Sequence, residues 1–468
     1  MSGKVSFWKI GILTVLFSTF CFVQAFALAN QPKAELDEFI KNIKEENRVD
    51  QIGYLIQLEI PSNRINDDKV LSVSGKYFYS SDEGYITHVN YERLQNLIDS
   101  GISFKVLDKK RLNDENEEWL MVWAENDRQE KAIKLRFEPL YQHDHTTIIR
   151  IRPEDEDHLV EQGAQYKILD ESLFPARKVE PGEQIKIKAP NQEIGKYVAM
   201  INKDSLLATV QKLQDFKSRY VNQPGNTSAV QWLTSEFIKI PGLKQVESTF
   251  SSNSGTLSNV VFEKTGTKDP KTIYVVCGHM DSIVTQGNKN FAPGADDNGT
   301  GAATVLEIAR VLGTKELPYT VLFACMNAEE IGLVGSKALA KALASSSDKK
   351  VKACLNLDML ADNDDNQFAL IGDTKSNWLI DVVKDAAKTY VNLDSKPLYD
   401  SKIWYSDHSS FWNIGVPANL SIEGYPEMSK FYHSVNDLVS NMAPSLMEKI
   451  ARANLAALLI IDSVPASK

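Results

Sequence analysis

The sequence predicts an α/β protein with a largely parallel central sheet covered by helices on both faces, preceded by a small α+β domain with an internal repeat. From about residue 200 onward, helix-periodic segments alternate with apolar strands. Strands such as "IYVVCG" (273–278) and "TVLFAC" (320–325) are apolar on both faces. A sheet buried between two layers of helices requires this pattern.

The N-terminus resembles an export signal. The apolar run at 10–23 follows two lysines and is too short for a comfortable membrane span. Small residues then end the run at the spacing that signal peptidases read, so we expect cleavage after Ala27 or Ala29. Residues 1–29 are thus expected to be a signal peptide, and the mature protein to be secreted or periplasmic without stable membrane insertion. A membrane anchor is disfavoured, because no basic stop-transfer cluster follows.

The first half of the chain carries a weak repeat. Residues 85–109 align with residues 147–171, and each copy is typical of a strand, a helix, a turn and a second strand. We expect an α+β repeat domain at 30–172, which could be a propeptide or an accessory domain. A linker rich in Pro, Lys and Glu is expected at 173–195. The "HDH" at 143–145 is interpreted as a solvated turn, with a metal site as the alternative.

Residues 196–468 are expected to form the α/β domain. In this domain, segments whose apolar residues have helical spacing alternate with apolar segments typical of strands. The expected helices are 205–220, 228–240, 301–313 and 335–343, and the expected strands are 259–264, 272–281, 319–330 and 352–360.

Charge and cysteine content exclude some functions. The formal net charge of -10 argues against nucleic-acid binding, which needs a basic face. Cys277, Cys325 and Cys354 remain after signal removal, and an odd number implies no disulfide framework. Each lies in an apolar strand, so we interpret all three as small core residues.

Acidic residues and histidines follow the predicted strands at the ends where open α/β sheets form their sites. Any one of them alone could be a core histidine, a turn or a helix-capping carboxylate. Together at one sheet edge the carboxylates would repel one another without a cation among them. The set suits a divalent metal, with zinc first among candidates. Its members are His279, Asp281, Asp296, Asp297, Glu329, Glu330, Asp358 and His433.

Five ordered motifs then resemble those of the dizinc exopeptidases that include secreted bacterial leucyl aminopeptidases. The resemblance covers roughly residues 200–465, and "SDHSSFWNIGVPA" (406–418) also fits it. The five motifs are "GHMDS", "PGADDNGTG", "NAEEIGLVGS", "LNLDM" and "YHS".

The resemblance implies two zinc ions and a role for each site residue. His279 and Asp358 would hold one zinc, Glu330 and His433 the other, and Asp297 would bridge both. Asp296 is the alternative to Asp297, which fits the family's D-N-G-x-G spacing better. Glu329 would be the general base, and Asp281 would orient His279 by accepting its other N–H. Tyr405 is a candidate donor to the oxyanion, although its spacing from "SDH" departs from the family.

The resemblance also implies the activity. We expect a secreted zinc-dependent aminopeptidase that removes N-terminal residues, Leu-like ones above all, from peptides with a free N-terminus by means of metal-activated water. A related dizinc carboxypeptidase or dipeptidase is one alternative. The other is a binding protein that kept the fold and lost its metals, which the intact ligand positions disfavour.

Overall fold

A computed structural model provides the fold. It describes residues 52–59, 77–81, 84–111, 117–124, 127–152, 155, 158, 159, 164–169, 185, 187, 189–252, 254–285, 289–362, 366–400, 403–425 and 429–463. The expected signal peptide and most of the expected linker lie outside the described residues. Within those residues, the helices are each too short or too polar to cross a bilayer.

The described chain divides into two compact units. The first holds residues 52–59 and 84–111, and the second holds residues 77–81 and 117–463. The division therefore falls between the two repeat copies, and the boundaries expected from the sequence (30–172 and 173–195) stay predictions. The first unit contains β1 Ile52–Leu58, β3 Gly84–Asn90, α1 Tyr91–Asp99 and β4 Phe104–Arg111, whereas β2 Tyr77–Ser81 belongs to the second unit.

The second repeat copy belongs to the second unit, and we call residues 118–169 the second-copy module. In the first unit β1 lies between β3 and β4 and is antiparallel to both. In the module β5 likewise lies between β7 and β8, antiparallel to both, so the sequence repeat is also a structural one. The module's elements are β5 Glu118–Trp123, α2 Asp127–Arg136, β6 Pro139–His143, β7 Thr146–Ile151 and β8 Gln165–Ile168.

The rest of the second unit is built on an eight-stranded mixed sheet. Its strands are β9 Lys244–Val246, β12 Val260–Lys264, β13 Asp269–His279, β14 Tyr319–Met326, β15 Lys350–Leu357, β16 Gln367–Gly372, β17 Asp394–Tyr399 and β18 Ala418–Ile422, in the order β17-β16-β18-β15-β13-β14-β12-β9. Strands β14, β13, β15 and β18 run parallel and form its centre. A separate hairpin pairs β10 Thr249–Ser252 with β11 Gly255–Ser258.

Helices cover both faces of this sheet. They are α3 Gln192–Val198, α4 Lys203–Asp215, α5 Pro224–Ile238, α6 Gly301–Leu312, α7 Val334–Ser345, α8 Asn377–Val391, α9 His408–Asn413 and α10 Pro444–Ser463. Alternate residues of β13 pack to opposite sides. Tyr274 and Val276 join a core with α6 and α10, whereas Val275 and Cys277 join another with α7 and α9. The predicted fold class is therefore confirmed, since a strand buried on both faces needs an apolar residue at every position.

The three cysteines are core residues, as the sequence indicated. Cys277, Cys325 and Cys354 are fully buried and carry free thiols. Each packs within one of the two apolar layers beside the sheet.

The observed strands end earlier than the sequence predicted. β13 ends at His279, β14 at Met326 and β15 at Leu357. The residues that follow leave the sheet as loops, and these loops carry the polar motifs. The apolar pattern had merged strand and loop, because the first loop residues, such as Met280 and Ala328, are buried as well.

Gly301 lets α6 begin directly against the sheet. A Cβ at this position would lie 2.2 Å from the carbonyl oxygen of Leu357 and 2.4 Å from Oδ1 of Asn298. Both groups have fixed partners, because Asn298 donates to Leu357 O at 2.9 Å and accepts from the Gly301 N–H at 2.7 Å. Neither atom can move without breaking these hydrogen bonds.

We predict that Gly301→Ala lowers the free energy of unfolding by about 1–3 kcal/mol or more, as overpacking of a dense interior does. Urea unfolding followed by circular dichroism measures the change. The matched control is Gly195→Ala in α3, where a Cβ meets no atom within 4 Å. That variant should be neutral or more stable by about 0.5–1 kcal/mol. Equal midpoints for wild type and Gly301→Ala would contradict the close approach.

Candidate metal centre

Five loops bring the polar motifs together at one end of the parallel strands. His279 is the last residue of β13, Glu329 and Glu330 follow β14, and Asp358 follows β15. Asp297 lies in the turn Ala295–Thr300 that precedes α6, and His433 lies in the loop before α10. The carboxyl ends of parallel strands share one sheet edge, which explains why residues so far apart in sequence meet here.

The first group surrounds His279. Its Nε2 lies 3.3 Å from Oδ1 of Asp297, 3.3 Å from Oδ1 of Asp358 and 3.8 Å from Oε2 of Glu329. His279 is 1% exposed, so water contributes little to this cluster. Ser406 fixes Asp358 by donating its hydroxyl to Oδ2 at 2.6 Å.

The second group surrounds His433. Its Nε2 lies 3.1 Å from Oδ2 of Asp297 and 3.1 Å from Oε2 of Glu330. The ring of Tyr432 stacks on the imidazole with centroids 3.7 Å apart. Asp297 thus presents one oxygen to each histidine and lies between the two groups.

Asp296, the alternative to Asp297, faces away from both histidines. Its Oδ1 accepts a hydrogen bond from the N–H of Ala361 at 2.9 Å. The carboxylate of Asp437 accepts from the N–H groups of Asp296 and Asp297, at 2.8 and 3.0 Å. Asp437 therefore fixes the turn that presents Asp297, a role that no sequence pattern indicated.

Asp281 contacts both His279 and the loop after β14. Nδ1 of His279 lies 3.2 Å from the Asp281 backbone carbonyl and 3.6 Å from its carboxylate. The carboxylate accepts from the N–H groups of Glu329 and Glu330, both at 3.1 Å. Asp281 thus links the loop after β13 to the loop after β14, in addition to lying beside the imidazole.

Burial and mutual repulsion shift the pKa values of these groups. Burial, followed by the charge of Asp297, raises the pKa of Glu330 to about 7. The pKa of Glu329 also lies well above its usual range, mainly because the group is buried. Burial alone would lower the pKa of His279, but the charges of Glu329 and Asp358 outweigh it and raise the value.

The donor set fits divalent cations. His279, Asp297 and Glu330 place one ligand atom each within 4.8 Å of one another, and so do His279, Glu329 and Asp358. Oε1 of Glu330 is buried without a hydrogen-bond partner among the described residues. Buried charges of one sign are stable only when paired or bound to metal. Carboxylate and imidazole donors together suit zinc.

Two further sequence candidates have other partners. The hydroxyl of Tyr405 donates to the hydroxyl of Tyr425 at 2.5 Å, although the Tyr405 ring lines the metal centre.

The "HDH" segment forms the tight turn between β6 and β7. His145 lies near Asp127 and Glu130, but Glu130 already bonds to Lys134, which lowers the pKa of its carboxyl.

Arg219 holds together two of the loops that form the metal centre. This fully buried side chain donates to the carbonyls of Met280, Pro293 and Gly294 at 2.6–2.7 Å. It therefore ties the loop after His279 to the turn that carries Asp297. Burial lowers its pKa to about 10, and the nearby charge of Asp437 opposes that shift.

We predict that Arg219→Met lowers the free energy of unfolding by about 3–5 kcal/mol, because removing one buried partner leaves carbonyls and carboxylates uncompensated. Its zinc affinity should also fall, since both loops lose their common anchor. Urea titration and zinc titration measure the two effects. Arg136→Met is the control, because the Arg136 side chain is 50% exposed and its ion pair with Asp155 should contribute at most about 1 kcal/mol. A variant as stable as wild type would refute the role of Arg219.

The metal-free protein should lose stability as pH rises from about 5 to 8. Glu330 and Asp437 have pKa values raised to about 7, so the folded state holds protons that the unfolded chain releases. Their contribution is complete below the unfolded pKa and is lost as pH passes the folded one. Zinc replaces these protons, so the stabilisation by zinc should grow with pH. Thermal unfolding with chelator or with zinc at several pH values measures both trends, and a zinc effect that shrinks with rising pH would contradict them.

Comparisons with known proteins place this site within a family. A family model described as peptidase family M28 matches residues 259–458. A probable leucine aminopeptidase of Arthroderma otae is 28% identical over 287 residues, covering 58% of this chain and 76% of the relative. A second protein of that organism, with the same description, is 30% identical over 257 residues, covering 52% of this chain and 67% of the relative.

Solved structures show the same fold. The crystal structure of the Legionella pneumophila LapA aminopeptidase superposes with a TM-score of 0.63 at 18% identity. The superposition covers 75% of this chain and 99% of the LapA chain. With the family model matched across the site, and a relative 30% identical along 67% of its own length, this chain belongs to peptidase family M28.

Proposed function

We propose that this metallopeptidase is an exported aminopeptidase that uses two zinc ions to remove Leu-like residues from peptides with a free N-terminus. The main support is the position of Asp297, whose two carboxylate oxygens each face one histidine at 3.3 and 3.1 Å. A carboxylate placed in this way can bridge two cations about 3.5–4 Å apart, the separation in two-metal hydrolases.

The proposed ligands form two sets that share Asp297. His279 and Asp358 would complete one zinc site, and Glu330 and His433 the other. The distances within each group support this assignment, as does the buried Oε1 of Glu330, which has no hydrogen-bond partner in the described part of the chain.

Glu329 is proposed as the general base. When bound, zinc supplies a Lewis acid that polarises the substrate carbonyl and lowers the pKa of water. Glu329 then accepts the proton of the attacking water and returns it to the departing nitrogen, as the carbon–oxygen bond forms and the carbon–nitrogen bond breaks. The Glu329 N–H donates to the Asp281 carboxylate, which keeps the loop that carries Glu329 in place.

The Leu-like preference and the two-zinc stoichiometry come from the resemblance, and the Arthroderma otae relative is described as a probable leucine aminopeptidase. Export is proposed from the N-terminal signal pattern. The role of residues 30–172 as a propeptide or accessory domain belongs to the same proposal.

We predict that Glu329→Gln lowers kcat on a leucine chromogenic amide by about 10²–10⁴-fold, the usual contribution of a general base. Its zinc content should stay near that of wild type, because Glu329 is not among the proposed ligands. Atomic absorption measures the metal and a spectrophotometric assay measures hydrolysis. The matched control is Glu236→Gln, whose side chain is part of a surface ion pair on α5 and should leave both values unchanged.

Chelation and blocked peptides complete the test. Activity should vanish with a chelator, return with zinc and reach its maximum at two zinc ions per chain. Acetylating the peptide N-terminus should abolish cleavage, whereas amidating the C-terminus should not. The opposite pattern with blocked peptides would identify a carboxypeptidase. A chain that binds no zinc would be a binding protein on this fold, and the proposal would be wrong.

A further inference from the structure

We propose that Trp123 of the second-copy module forms a wall of the substrate pocket beside the metal centre and selects peptides with a large apolar side chain next to the bond that is cut. Trp123 lies well before the stretch that the family model matches, 259–458. The inference deepens the proposed function and rests on it, because it assigns a role within the same peptidase site.

The metal centre itself has no room for a substrate residue. The space among its side chains measures about 20 Å³. A single water needs roughly 10–15 Å³ by this kind of measure. The side chain of a bound peptide residue must therefore lie outside this space, in an adjoining pocket.

One adjoining pocket has the size and the walls to accept it. Its volume is about 290 Å³, close to the lower end of ligand pockets, which span about 300–1,000 Å³. Tyr405 lines both this pocket and the metal centre, so the two spaces are neighbours. The apolar and aromatic side chains around it are Trp123, Leu398, Tyr399, Ile403, Tyr405 and Tyr425. Polar residues complete the lining, and they are Asp144, His145, Thr146, Lys396 and Asp400. The apolar and aromatic walls favour a large apolar side chain, aliphatic or aromatic.

Trp123 holds in place Tyr405, the residue that lines both the pocket and the metal centre. Its ring stacks on that of Tyr405 with centroids 4.8 Å apart and an interplanar angle of 26°. The Tyr405 hydroxyl bonds to Tyr425 on the other side, at 2.5 Å. Trp123 itself is the last residue of β5 and pairs with Thr146 of β7, which also lines the pocket. The module thus contributes a rigid side of the pocket.

The module is fixed to the peptidase through the loop that carries Glu329 and Glu330. Ala328 and Ile331, which flank this pair, share an apolar core with Ile149 and Tyr166 of the module. Lys337 of α7 donates to the carbonyl of Ile168 at 2.7 Å. Removing the module would expose this core, so these contacts favour a permanent accessory role over a propeptide that is removed.

The test compares substrates that differ in the side chain beside the scissile bond. With the zinc-loaded full chain, kcat/KM is measured for leucine, phenylalanine and alanine amides. Trp123→Ala should lower the ratio of the phenylalanine to the alanine value at least about tenfold, since one methylene in an apolar pocket already changes it about 10–200-fold. The loss should appear mainly in KM. Trp123→Phe should restore most of the ratio, and Leu135→Ala, on the exposed side of α2, should not change it.

Three results would overturn the proposal. The first is a ratio unchanged by Trp123→Ala in a folded, zinc-loaded protein. The second is a rise in activity on all substrates, which would identify the module as an inhibitory cover. The third is an equal loss on all substrates that Trp123→Phe does not reverse, which would indicate a purely structural role.

Calorimetry separates this inference from the proposed function. L-phenylalanine and L-alanine are titrated into the zinc-loaded wild type and both Trp123 variants. If the wild type cleaves no peptide, the proposed function fails, and the pocket stands only if Trp123→Ala weakens the binding of L-phenylalanine at least about tenfold while Trp123→Phe does not. If the wild type cleaves peptides and this binding is unchanged, the pocket assignment alone fails.

Discussion

Concentrated negative charge at one end of the sheet is the constraint on which the rest of this structure depends. Asp297, Glu329, Glu330 and Asp358 are gathered there almost without exposure to water, with only two histidines among them. Such a group is stable only with cations in its centre or protons on its carboxyls. The carboxylates repel one another, and Arg219 and backbone N–H groups hold the loops that carry them in place.

The sequence could predict the central fold and the polar residues that meet at the sheet edge, because both follow from local patterns. Apolar runs mark strands buried on both faces, and the polar residues after them mark the sheet edge. It could not predict Arg219, whose partners are backbone carbonyls that any sequence could supply. It also missed Asp437 and the pairing of β16 antiparallel to β18, because both depend on how distant segments meet.

The second-copy module shows that a sequence repeat does not say which unit each copy packs with. The two copies are similar in sequence, yet the second copy lies in the unit of the eight-stranded sheet and shares a core with Ala328 and Ile331. Its strand pairing matches that of the first unit, whereas its core includes residues of the loop that carries Glu329 and Glu330. Apolar pattern reports which residues are buried, but it does not say against which neighbour they are buried.

The order of the site residues along the chain has a consequence for biosynthesis. The loops that form the site run from His279 to His433, and α10 follows the last of them. A chain emerging from the ribosome cannot assemble both groups of the centre until the loop that carries His433 has emerged. Peptidase activity is thus withheld until the chain has been made through that loop, since domains generally fold as units.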